Sequence, residues 1–438
     1  VMLDGVGSWV RDELPALNRA ILAGQVAPGV LTDVLREELL PGLPRPECLD
    51  RLDAQRLLVH LGFVGASVAR HFQQRTPAGK DHPRQAFEGL TVGAAQVPFL
   101  AYFAALADHT GTGHCHRDSY ASLVRWNVGT VQVRLGDELL STLPGIFDDG
   151  EIRSYTGTGG EQRFFALVKR SEAVELAVNE LLAPLGADGA RPGGDEAVLR
   201  VRTATILLDA MRQLFVTFAG LPAEQSMPAE HFMDVFRQFA VHWTPDDIPP
   251  SGALDPEALK RDFLLGVPAA DYEAHVRGLF PALLSDERAM IEAVMARPSL
   301  PQHLLATLGV ADGALATASP AELRRLVGRE PALADWYTLL TAHARASGAH
   351  LMLSKKFLFT PQNRRDAAGQ GDQPLVSNRA GTTGMTETFL QRLTRARRDH
   401  LLAPLRRVLA EDIPTKVTTD GVRSPSGPQA QATVTLVA

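Results

Sequence analysis

His350 stands in a sequence built like one wall of a cofactor pocket. It lies in a run predicted as a long helix from Trp336 to Phe359, ended by Pro361, and a Gly/Thr turn from Ala380 to Met385 follows. Small residues Ala346, Ser347, Gly348 and Ala349 precede it and leave room for a flat, bulky group, while Leu353 and Phe357 supply apolar walls. An imidazole offered from an apolar helix face suits the axial ligation of a haem iron. The same residues also read as a core histidine satisfied by a hydrogen bond. His343, two turns earlier on nearly the same face, competes for the ligand's role.

A second constellation surrounds Arg237. Phe232, Val235, Phe236 and Phe239 are spaced to make one apolar helix face that runs on to Trp243, and Arg237 lies one residue off it. A guanidinium there suits two-pronged recognition of a carboxylate. Its alternative is a surface arginine lying along apolar neighbours. Other clusters carry less. His114, Cys115 and His116 are adjacent, point in opposite directions if extended, and have no second ligand pair at zinc-like spacing. Thr156 to Gly160 lacks the strand and the Lys-Ser/Thr of a phosphate loop and reads as a flexible linker. Neither a Gly-x-Ser-x-Gly elbow nor a His-Glu-x-x-His pair occurs.

The run from His350 to Pro361, followed by Gly381-Thr382-Thr383-Gly384 before Phe389 and Leu390, resembles the proximal-haem region of the indoleamine 2,3-dioxygenase family. That family belongs to a superfamily with tryptophan 2,3-dioxygenase and the enzyme of pyrrolnitrin biosynthesis that rearranges chlorotryptophan. Phe164 to Val168 resembles the start of its distal helix, and Phe232 to Trp243 its helix with a substrate-facing phenylalanine and arginine. Ser251-Gly252-Ala253, then Asp262 to Gly266, resembles its distal loop and the helix after it. The likeness runs from about Tyr120 to His400.

The resemblance implies a b-type haem whose iron has His350 as its protein ligand. The distances to Lys356, Pro361 and the Gly381 turn match the family pattern from His350 and fail from His343. It places Asp262, Lys356 and Gly381 around the cofactor, though Asp262 and Lys356 also read as a surface ion pair. Ser251 and Gly252 would border the oxygen pocket. Tyr120, Val124, Phe164, Phe232, Arg237 and Thr382 would hold an indole amino acid. The implied reaction inserts both atoms of O2 as the indole C2–C3 bond is cleaved, giving an N-formylkynurenine-type product, with an external reductant. Three departures stand out: Thr383 and Met385 in the Gly/Thr turn, Pro249 and Pro250 before the distal loop, and Val168 where mammalian members place a serine. Two other outcomes stay open, the first motivated by these stiffer, reshaped loops. One is monooxygenation or rearrangement of a tryptophan-derived metabolite, and the other is a non-catalytic haem protein.

The elements that must position these residues are read as helices. Apolar residues recur at three- and four-residue spacing, as in Val174, Ala177, Leu181 and Leu185, so the expected class is all-α with an indoleamine 2,3-dioxygenase-like arrangement. The polar stretch from Asp148 to Gly160 predicts a boundary between a small N-terminal helical domain (1–150) and a large haem-binding domain (151–414), with a tail at 415–438. Gly129 to Leu135 alternates like a short strand, and Ala432 to Val437 like an edge strand or a tail that docks. A net charge of −6 offers no footprint for nucleic acid. Two cysteines and no apolar run of membrane-spanning length point to a cytosolic chain, expected to be a monomer or weak homo-oligomer.

Overall fold

The computed structural model describes residues 2–76, 78–110, 116–267, 269–369, 374–376, 380–381, 383–409 and 433–437. The chain is mostly helical, 66% helix and 5% strand, and no helix among the described residues is long and apolar enough to cross a membrane. Helix α1 (Arg51–Arg75) starts at Asp50, whose carboxylate accepts the N–H of Asp53 at 2.8 Å. Residues 57 to 71 are buried without a break, so this helix is the axis of the first core and has no solvent face. An aromatic group of Phe87, Phe99, Phe103 and Trp243 packs about it, with Phe87 and Phe99 stacked at 5.3 Å.

The second core is built on α2 (Gly159–Leu182), α3 (Asp195–Gly220) and, further on, α5 (Ala332–Ser354). On α3 the buried Ala197, Val201, Ala204, Leu208, Met211, Phe215 and Phe218 follow one another at three- and four-residue steps, the spacing of a single helix face. That face meets α5, where Ala342, Ala346 and Ala349 present small side chains and admit a neighbouring helix. Between α3 and α5 in sequence, α4 (Pro256–Leu265) begins at Asp255, which accepts the N–H groups of Glu257 and Ala258. The cores do not divide at residue 150. The first takes in Phe165, Phe239, Ile291 and Leu393, and the second takes in Val131 and Leu143.

The alternating segment is a strand, β1 (Val131–Leu135), paired antiparallel with β2 (Glu138–Leu143) on one side. On its other side lies β3 (Val434–Val437), so the chain's last described residues dock as an edge strand. Residues 410–432 lie outside the described residues.

Three local readings are corrected. Pro361 does not end the long helix. After α5 comes a π-turn, Lys355–Phe359, and then α6 (Thr360–Ala367), with Pro361 in its first turn. Nor is Thr156 to Gly160 a flexible linker. The N–H and hydroxyl of Thr156 donate to the buried Glu161 carboxylate at 2.9 and 2.7 Å, and Thr158 caps α2. The helix foreseen from Phe232 to Trp243 is also broken up, into a π-turn (Phe232–Phe236), a 3-10 turn (Arg237–Phe239) and irregular chain.

Candidate functional site

A chamber of two lobes, about 230 and 210 Å³, opens where the two cores meet. Together they reach the size of cofactor and small-molecule sites, roughly 300–1,000 Å³. Both lobes are walled by Phe164, Val168, Phe232, Gly252, Leu358 and His350, so His350 stands at their junction. Its side chain is exposed, yet to the chamber, for it lies deep in the fold. Burial, with Arg397 and Arg261 nearby, pushes its pKa down to about 4 against the opposing pull of Asp262, so the imidazole is neutral at pH 7. Phe215 lies against it at 5.7 Å. Among the described residues its ring nitrogens make no hydrogen bond, so the core-histidine reading lacks the partner it needs. His343 is the reverse case: it is absent from the walls of both lobes, and its Nε2 meets Asp262 at 2.9 Å.

The larger lobe is charged. Asp262, on α4, is buried and accepts from Tyr272 at 2.7 Å and from Arg397 Nε at 3.1 Å as well as meeting His343. Burial alone would raise its carboxyl; Arg397 and the His343 hydrogen bond outweigh that and hold it well below the usual range. Arg261 donates to Glu175 at 2.6 Å. Ala346 and Ser347, on α5, line this lobe one turn before His350 and keep that wall low. Lys356 is not part of it. Its ammonium donates to the carbonyls of Ala219 and Leu221, capping the end of α3. Asp262 and Lys356 are therefore not paired with each other.

The smaller lobe gathers Tyr120, Val124, Phe164, Phe232, Arg237, Ser251, Gly252 and Gly381. Three of these come from π-turn regions: Val124 from the turn Ala121–Arg125, Tyr120 just before it, and Phe232 from its own turn. Tyr120 shows the lobe its ring, because its hydroxyl donates to Glu172 at 3.1 Å. Ser251 accepts the N–H of Ala253 at 3.2 Å and so shapes the turn that exposes Gly252. Arg237 is only 5% exposed. Its Nη2 donates to the carbonyl of Ala380, its Nη1 is buried without a partner, and burial lowers its pKa to about 10. Gly381 donates its N–H to Met385 at 2.7 Å and accepts from Gly384 at 2.8 Å, a turn that Gly384 closes with φ +81°. Thr382 and Arg379 lie outside the described residues, as do His114 and Cys115.

Sequence reasoning missed several wall residues, among them Tyr155, Phe236 and Thr383 in the smaller lobe and Tyr272 and Arg397 in the larger. Phe236 carried the right signal, its place on the apolar face. Thr383 is the neighbour of a residue that was singled out, and its Oγ1 is buried without a partner. Among the described residues no three His, Cys, Asp or Glu side chains gather around one point. No family model matches the chain, and no curated protein matches it.

Proposed function

We propose that this chain is a haem-dependent oxygenase of the indoleamine 2,3-dioxygenase kind, acting on the indole ring of tryptophan or a related indole amino acid. The observation that carries the reading is His350: a neutral imidazole, free of hydrogen bonds among the described residues, at the junction of two lobes deep in the fold. The residues present fit a b-type haem. His350 would ligate the iron, and Ala346 and Ser347 leave room beside the helix; Arg261 and Arg397, the cations of that lobe, are already engaged by Glu175 and Asp262. Bound and kept ferrous by an external reductant, the haem would supply the activation of O2 that ends with both atoms in the product.

The chain's own part is to bind, orient and keep out water. Phe164, Phe232 and the rings and methyls of Tyr120 and Val124 would flank an indole in the smaller lobe. Arg237, with no carboxylate among the described walls of that lobe, would hold the substrate's acid group. Ser251 and Gly252 would border the oxygen. The test is the absorption spectrum after reconstitution with haem: a Soret band in the wild type and in His343→Ala, and its loss or severe weakening in His350→Ala. A spectrum unchanged by His350→Ala overturns the reading. Turnover under labelled O2 then counts the oxygen atoms in the product, and a single one would move the reading to monooxygenation.

A further inference from the structure

Most polar side chains that line the smaller lobe are already engaged. Tyr120 donates to Glu172, Ser354 donates to the His350 carbonyl at 3.3 Å, and Ser251 is turned to Ala253. Arg237 is tied to the Gly/Thr turn that carries Thr383. Tyr155 remains. It lines the lobe, is 2% exposed, and among the described residues its hydroxyl makes no hydrogen bond. Buried tyrosine hydroxyls ordinarily find a partner. The ring cannot easily swing away to find one: it is stacked on Phe239 at 4.3 Å and 5°, lies against Phe63 at 5.0 Å and meets Phe236 at 5.9 Å. Its backbone is held as well, because its carbonyl accepts from Asn18 at 2.8 Å. Val168, on the same lobe, has a side chain with no polar atom.

We propose that Tyr155 reads the substrate's ring: its hydroxyl oxygen accepts a hydrogen bond from the ring N–H of an indole held in the smaller lobe. This makes Tyr155 a specificity-determining residue for N–H aromatic acids over isosteric rings that lack the donor. The inference rests on the reading of this lobe as an indole site. Burial, with Asp118 adding to it, holds the phenol well above its usual range, so the hydroxyl stays neutral and able to accept. A site built around one hydrogen bond discriminates against a ligand that leaves its buried partner unmatched.

The experiment is calorimetric binding to the haem-reconstituted full chain without O2, using tryptophan and its benzothiophene analogue, in which sulfur replaces the ring N–H. The wild type should bind tryptophan about tenfold more tightly. In Tyr155→Phe that ratio should fall to near one, with tryptophan weakened and the analogue's affinity kept. The retained analogue affinity also reports that the variant is folded, and the substitution deletes only a hydroxyl that bonds no protein group among the described residues. A ratio near one in the wild type overturns the inference whatever the variant does, and so does a tenfold ratio that persists in Tyr155→Phe. If neither ligand binds the wild type, it is the indole reading that fails.

Discussion

Arg237 is a cation taken out of water with only a carbonyl to meet it. Among the described residues Nη2 has the oxygen of Ala380 and Nη1 has nothing, and burial drags the pKa down to about 10. Such a group is costly until an anion arrives. Thr383, whose Oγ1 is likewise buried and unmatched, sits in the turn that Arg237 grips. A carboxylate, with two oxygens, would satisfy both. Tryptophan should therefore be preferred to tryptamine, and Arg237→Leu should remove the preference. Losing a charge-assisted pair costs on the order of 2–5 kcal/mol, so kcat/KM for the acid should drop by more than tenfold and that for the amine little. Thr383→Val should act the same way, more weakly. Equal losses for the two substrates in Arg237→Leu would make the arginine structural.

At the scale of elements, the segment that delivers Arg237 is seated against α1. A Cβ at Gly65, midway along that helix, would lie 2.4 Å from Trp243 Cη2, and Trp243 is fully buried a few residues past Arg237. Gly65→Ala must push the indole aside or the helix back. It should destabilise the fold by about 1–3 kcal/mol, read as a lower urea midpoint, and weaken substrate binding through Arg237. An unchanged midpoint would mean that the two elements part without strain. The regular helices of the second core were legible because their apolar residues keep the three- and four-residue step, and β1 because its residues alternate. What could not be read are the π-turns at Ala121–Arg125, Phe232–Phe236 and Lys355–Phe359, each beside chamber residues. One extra residue per turn rotates every later side chain, and no composition announces it. That is why the face drawn through Phe232, Val235 and Phe239 was too regular. Tyr155 was hidden for another reason: it lies in a polar, aperiodic stretch whose order comes from Glu161 and Asn18, both distant from any pattern. His350 was visible by its small neighbours, and its separation from His343 required seeing Asp262.

At the scale of the whole molecule, the two cores are joined by buried charge. Arg125, beside the chamber, serves two carboxylates: its Nε donates to Glu172 at 2.6 Å and its Nη1 to Glu287 at 2.8 Å. One cation cannot fully compensate both, and Glu172 has the closer, two-pronged share. Burial therefore wins over Arg125 at Glu287 and raises its pKa to about 7 from 4.5. Between those values the folded chain keeps a proton that the unfolded chain has released, so this contribution to stability is complete below pH 4.5 and is lost as pH rises through 7. Buried histidines act oppositely. His60 and His71, lowered to about 3, and His343 and His400, lowered to about 4, refuse a proton that the unfolded chain accepts below 6.5. Their contribution is complete above 6.5 and is lost as pH falls toward 4. The four histidines outweigh the one carboxyl, so wild-type stability should rise with pH between 4.5 and 6.5, less steeply than the histidines alone would make it. Glu287→Gln, which keeps an oxygen for the N–H of Leu284, deletes the carboxyl's contribution. The gain in stability from pH 4.5 to pH 8 should then be larger in the variant than in the wild type, by on the order of 3 kcal/mol. Urea unfolding of both proteins at the two pH values measures it. Parallel pH dependence in the two would mean that Glu287 ionises as an ordinary carboxylate and that Arg125 compensates both of its partners.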